Sequence, residues 1–188
     1  MEDPRWHSRG YLPHFDGERA IQMVTIRLTD ALPANVIEDI RRIVEAEKEL
    51  SKDTRIRKKI VMIEKFADKG YGNCLFARKE NALIVKGTLL KNGHKIFAWV
   101  IMPNHIHFLI KVKEDNTLSS FIKDFKQKTT REINLRENTS GRIWQKEYYD
   151  RYIRDEKHFS IAKAYIQSNP IKAGLVTDIS KWEWYGEM

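Results

Sequence analysis

Residues 96–112 read IFAWVIMPNHIHFLIKV. The first seven are continuously apolar, the pattern of a central strand buried on both faces. Pro103-Asn104 breaks the run, since proline cannot continue a ladder and asparagine favours turns. The next eight, HIHFLIKV, alternate strictly. Ile106, Phe108, Ile110 and Val112 share one face; His105, His107, Leu109 and Lys111 share the other. The two segments are predicted to pair antiparallel across a tight turn. The apolar face meets the helices, and both imidazoles stand on the face away from the core, about 6–7 Å apart at their Cα atoms. Both can reach one ion. Neutral imidazole suits zinc, manganese or magnesium chemistry, so the pair names no reaction. Two unrelated surface histidines are the competing reading.

The flanking pattern extends this pair into a fold. In IQMVTIRL, 21–28, Val24, Ile26 and Leu28 face one way, and Met23, Thr25 and Arg27 the other, as in a strand covered on one side. Ile37, Ile40, Ile43 and Val44 predict a helix over 34–50. Ile56, Ile60, Ile63 and Phe66 predict another over 55–68, and Ala82, Leu83, Val85, Leu89 and Leu90 a third over 79–91. Leu118, Phe121, Ile122, Phe125 and Ile133 stripe a helix at 118–136 that is rich in lysine and arginine. A short strand falls within 143–153, and a last helix at 156–168 stops before Pro170. That order predicts an α+β fold, an antiparallel sheet with helices on one face. The whole chain, 1–188, reads as one domain. It comprises an N-terminal arm (1–19), a core (20–176) and a packing segment (177–188) containing Trp182, Trp184 and Tyr185.

On the last helix, Phe159, Ala162 and Ile166 form a stripe that can pack on the sheet. Ile161, Tyr165 and Asn169 lie on a second line at i, i+4 spacing, so Tyr165 and Asn169 point the same way one turn apart. Pro170 is expected to place Asn169 at the helix end. Alone, such a tyrosine is an ordinary boundary aromatic and such an asparagine an ordinary stop.

Lysine and arginine number 34 against 26 aspartates and glutamates, a formal charge of +8, which favours a polyanionic partner. Cys74 is the only cysteine, which rules out an intrachain disulfide and a cysteine-built zinc site and suits a reducing cytoplasm. The opening MEDPRWHSRG lacks an apolar run and is not expected to be a signal peptide; residues 96–102 are too few to span a bilayer.

Four pieces carry a family resemblance: RGYLPHFDGERAIQMVTIRLTDALP (9–33), AWVIMPNHIH (98–107), WQKEYYDRYIRD (144–155) and AYIQSNPIKAGLV (164–176). Together they resemble the REP-associated tyrosine transposases of the HUH single-strand endonuclease superfamily, near the small tyrosine transposases of insertion sequences. The resemblance implies a ferredoxin-like HUH core with helices on one face and the active site on the other. It implies that His105 and His107 are metal ligands and that Tyr165 is the nucleophile. Asn169 stands where the family places a third ligand, a position at which related insertion-sequence enzymes tend to carry glutamine. The implied activity is cutting and rejoining single-stranded DNA at hairpin-forming repeats, through a 5′-phosphotyrosine. Two imidazoles and an amide bring no negative charge to the ion, so a weakly held Mg²⁺ or Mn²⁺ is expected, with the substrate phosphate supplying the charge. Lys123, Lys126 and Arg131, with Arg55, Arg57, Lys58 and Lys59, are candidate phosphate contacts. The N-terminal segment, with Arg9, Tyr11 and His14, is the candidate reader of bases beside a hairpin. A solvated helix face or a packed arm is the plainer reading of each. The resemblance leans toward a monomer with its tyrosine acting in cis. Two other functions fit the same residues: a DNA-binding regulator that has lost cleavage, and a metal hydrolase in which Tyr165 is structural.

Overall fold

The computed structural model describes residues 6–8, 13–15 and 20–188. Its elements run β1 (Trp6–Ser8), β2 (Pro13–Phe15), β3 (Ile21–Arg27), α1 (Ala34–Ala46), α2 (Lys52–Ala67), α3 (Lys79–Leu90), β4 (Lys95–Ile101), β5 (His105–Lys111), α4 (Leu118–Glu137), β6 (Tyr149–Tyr152), α5 (Glu156–Lys172) and β7 (Tyr185–Glu187). β1 and β2 form a two-stranded ribbon. The other five strands make one antiparallel sheet in the order β6-β3-β5-β4-β7. The expected α+β class and the β4–β5 hairpin are both present. Met102 N donates to His105 O at 2.9 Å across the turn between them.

Strand alternation sorts the sheet's side chains into two cores. On one face, Val24 and Ile26 of β3 and Ile106, Phe108 and Ile110 of β5 meet Val85 and Leu89 of α3 and Phe121 and Phe125 of α4. Full burial of such a side chain contributes about 1.5–3 kcal/mol. In β4 the parity changes at a bulge between Ile96 and Ala98. One extra residue there turns Trp99 and Ile101 to the first face and Ala98 and Val100 to the second.

The second face differs from expectation in one respect. Helices α3 and α4 do pack opposite the histidines, but the histidine face is not open. Phe159, Ala162 and Ile166 of α5 lie over Met23, Ala98, Val100 and Leu109. His105 and His107 are consequently only 2% and 1% exposed. A helical stripe says which residues face inward; it does not say which side of a sheet receives them.

Helix α5 also runs further than expected, through Pro170 to Lys172. Proline lacks only its own N–H, and the turn beyond it is closed by Ala173 N donating to Asn169 O and Leu175 N to Pro170 O. Gly174, at φ +70°, then ends the segment. Asn169 therefore sits inside the helix and is buried, rather than at its end.

Helices α1 and α2 share a small core of their own, Val36, Ile40 and Val44 against Met62, Ile63 and Phe66. The end of α2 is tied to the β4–β5 turn, where the buried Asn104 donates from Nδ2 to Ala67 O (3.1 Å) and Tyr71 O (3.0 Å). This tie brings the acidic end of α2 to the histidine face.

Candidate active site

Each imidazole is oriented by a neighbour. Because Asn104 Nδ2 is donating to two carbonyls, its Oδ1 is an acceptor, and it lies 2.7 Å from His105 Nδ1. His105 must carry its proton on Nδ1, so Nε2 holds a bare lone pair. In the β3–β5 ladder Thr25 is opposite His107, and its Oγ1 lies 2.8 Å from His107 Nδ1. The two rings meet edge-on with centroids 4.7 Å apart. Burial, followed by the nearby Arg27 charge, pushes the His105 pKa down to about 3. Burial, His105 and Arg27 also push His107 well below its usual range. Both are neutral imidazoles, the form that binds metals.

Tyr165 comes to the same place from α5. Its ring is 5.3 Å from His107, edge-on, and its hydroxyl donates to Glu64 Oε2 at 2.8 Å. Lys172 Nζ lies 5.3 Å from the centre of the same ring. Burial, then the charge and hydrogen bond of Glu64, then Asp68, raise the phenol's pKa; Arg27 acts against them. Asn169 follows one turn later and is also buried. The chain thus brings His105, His107 and Tyr165 together, with Asn169 next along the same helix.

Five residues of this cluster were not singled out from the sequence. Thr25 and Arg27 lie on β3 opposite His107 and His105. The alternation of β3 with its pairing to β5 carried that signal. The sequence marks Asn104 only as a break between two strands. Glu64 and Asp68 come from α2, where i, i+4 spacing sets them on one side. Arg27 Nη2 is 3.7 Å from Glu64 Oε1, and Asp68 Oδ1 is 3.6 Å from His105 Nε2. Burial, then the Glu64 charge, pushes the Asp68 pKa up to about 6. Burial also raises Glu64, opposed by Arg27, Tyr165, Arg151 and Lys172. These two carboxylates stand beside the imidazoles, the phenol and the amide, a set that itself carries no negative charge. They lie 101 and 37 residues from their partners in the chain, so spacing could not show them.

The donor set fits a divalent cation. Among the described residues, His107 Nε2 and Asn169 Oδ1 are buried with no hydrogen-bond partner, and an imidazole lone pair and an amide oxygen are both groups that a cation can satisfy. His105 Nε2 adds a third lone pair. Among the described residues no three His, Cys, Asp or Glu side chains form a ready-made metal cluster, and the Asn169 amide is the further donor beside the two imidazoles.

The expected DNA contacts scatter. Arg57, Lys123 and Arg131 are exposed, while Arg55 and Lys59 are half-buried and Lys58 pairs with Glu47. Lys126 is not extended to solvent as a phosphate contact requires: its Nζ donates to Gln145 O and Lys146 O at 2.9 and 3.1 Å, pinning that segment to α4. Arg131 and Lys126 line a groove of about 510 Å³ with Arg142 and Lys146, on the α4 side of the sheet and away from the histidines. Arg9 and Tyr11 lie outside the described residues, and His14 is placed in β2 by its backbone alone.

A phenol and two buried imidazoles thus meet where α5 packs on the central strand β5 of an antiparallel α+β sheet. Residues 54–169 match the family model of the IS200-like transposases, and the chain belongs to that family. It is similar to the REP-associated tyrosine transposase of Escherichia coli, 33% identical over 89 residues, 47% of this chain and 51% of that protein. A Haemophilus influenzae sequence is 30% identical over 94 residues, 45% of this chain and 53% of its own. The chain thus spans about half the length of the curated relatives it matches. A solved REP-associated tyrosine transposase bound to a REP hairpin shares the fold, with a TM-score of 0.56 and 18% identity, over 95% of this chain and 82% of that one.

Proposed function

We propose that this protein is a metal-dependent enzyme that nicks and rejoins single-stranded DNA at hairpin-forming, REP-like sequences. The observation carrying this reading is the seating of Tyr165 beside His107 within one chain. The phenolic oxygen attacks a DNA phosphorus and the P–O3′ bond breaks, leaving a 5′-phosphotyrosine and a free 3′-hydroxyl. The covalent link keeps a phosphodiester, so the 3′-hydroxyl can reverse the step without a nucleotide cofactor. His105 Nε2, His107 Nε2 and Asn169 Oδ1 would hold Mg²⁺ or Mn²⁺, which when bound polarises phosphate oxygens and offsets charge on the departing 3′-oxygen.

The relatives' names support a hairpin-bearing substrate. The +8 charge and the exposed Arg57, Lys123 and Arg131 supply an electrostatic surface for it. Tyrosine and imidazoles in one chain favour a monomer acting in cis. No helix among the described residues is long and apolar enough to cross a membrane, and the single cysteine suits the cytoplasm.

The test uses a pool of single-stranded oligonucleotides carrying one stable hairpin and randomised flanks, with Mg²⁺ or Mn²⁺. A protein–DNA adduct that survives denaturation is expected, absent in Tyr165→Phe and in His105→Ala. Hairpin binding without an adduct would make the protein a regulator. Cleavage that persists in Tyr165→Phe would make it a hydrolase.

A further inference from the structure

A phenol that attacks phosphorus must lose its proton, and the surroundings of Tyr165 show where the proton can go. The imidazoles are poor acceptors: His105 and His107 direct Nδ1 to Asn104 and Thr25, and their other nitrogens belong to the cation site proposed above. The hydroxyl instead donates to Glu64 Oε2 at 2.8 Å, with the other carboxylate oxygen 3.7 Å from Arg27 Nη2. Glu64 is mostly covered, its side chain 17% exposed. The end of α2 is held by Asn104, so the carboxylate is positioned rather than free to wander.

We propose that Glu64 is the general base for Tyr165, taking the phenolic proton as the nucleophile attacks and returning it when the strand is rejoined. The proposal rests on Tyr165 being the nucleophile. In cleavage the Tyr165 Oη–P bond forms, P–O3′ breaks, and the phenolic proton passes to Glu64 Oε2. The departing 3′-oxygen takes a proton from solvent, while Glu64 keeps the phenolic proton. In rejoining, the 3′-hydroxyl attacks phosphorus and gives its proton to solvent, the Tyr165 Oη–P bond breaks, and the leaving phenolate recovers the proton held by Glu64, so the full cycle leaves the proton count unchanged. A resting carboxylate beside a phenol keeps that phenol protonated. The transfer therefore occurs with attack, as bonding to phosphorus makes the phenolic oxygen more acidic. The charged and titratable groups around Glu64 are Arg27 on β3, Tyr149 and Arg151 on β6, Asp68 at the end of α2, and Tyr165 and Lys172 on α5.

The experiment measures single-turnover adduct formation against pH, using the oligonucleotide that wild type traps from the pool. Glu64→Gln keeps shape and hydrogen bonding but cannot take a proton. It is expected to lose about 100- to 10,000-fold in rate. The remaining rate should climb about tenfold per pH unit as the phenol ionises unaided, where wild type reaches a plateau. Hairpin affinity should stay within about threefold of wild type, separating proton transfer from binding. A Glu64→Gln rate within threefold of wild type, with the same pH profile, overturns the assignment. If that variant does not fold, Glu64→Asp decides: a plateau displaced along the pH axis supports the base, and an unmoved profile overturns it. Failure of the underlying reading looks different: wild type forms no adduct, or Tyr165→Phe still cleaves, and the proposal falls with it.

Discussion

Replacing Asn104 with alanine should damage the histidine face from a position closed to solvent. Its side chain makes three hydrogen bonds, to Ala67 O, Tyr71 O and His105 Nδ1, and is fully buried. At about 1 kcal/mol for each bond, the loss is about 3 kcal/mol, and more where a carbonyl stays dry. A water entering the vacated space would recover part of it. For a chain of this size each kcal/mol moves Tm by about 2–4 °C, so the midpoint should fall by roughly 6–12 °C. A local signature should accompany it. Wild-type His105 is held with its proton on Nδ1; without the Asn104 oxygen that preference disappears. Thermal unfolding followed by circular dichroism gives the first quantity, and ¹⁵N chemical shifts of labelled histidine give the second. A Tm within 2 °C of wild type with the His105 tautomer unchanged would refute the argument.

Four further outcomes follow from the same geometry. Thr25→Val removes the partner of His107 Nδ1 and should weaken Mn²⁺ binding by about 10- to 100-fold, read by titration of the ion's paramagnetic signal. Lys126→Met should cost about 2–3 kcal/mol of stability with little change in the salt dependence of hairpin binding, because its ammonium holds backbone carbonyls. Lys123→Met, on the exposed side of α4, should do the opposite, lowering the salt slope by about one and leaving Tm alone. Asp68→Asn should stabilise the metal-free protein at pH 8. The folded carboxyl pKa is raised to about 6 from an unfolded value near 3.8, so ionisation disfavours the fold above pH 6, and that penalty fades as the pH falls toward 4. The gain is at most about 3 kcal/mol; equal stabilities of the two proteins at pH 8 in EDTA would count against it.

How far the sequence could be read shows in particular residues. Strand period settled the sides of β5: strict alternation leaves no doubt that Ile106 and Phe108 share a face that His105 and His107 do not. The i, i+4 rule likewise put Tyr165 and Asn169 on one line of α5. The end of that helix was misread at Pro170 because a proline removes one hydrogen bond but does not forbid a further turn when the carbonyls beyond it find donors.

Periodicity is a property of neighbours along the chain, and it determined the central strands, the helical stripes, the α+β class, the shared face of the two histidines and the shared line of Tyr165 and Asn169, while the roles of those four residues are implied by the family resemblance. Which sheet face receives α5 depends on long-range packing, and so does the burial of both imidazoles. The same holds for Glu64 and Asp68. Nothing in the local pattern of α2 directs their carboxylates to Tyr165 and His105; the Asn104 tie to Ala67 and Tyr71 does. The sequence, through its periods and its family resemblance, thus pointed to the imidazoles and the phenol, while the proton acceptor and the site's negative charge come from contacts between segments far apart in sequence, which exist only after the chain has folded.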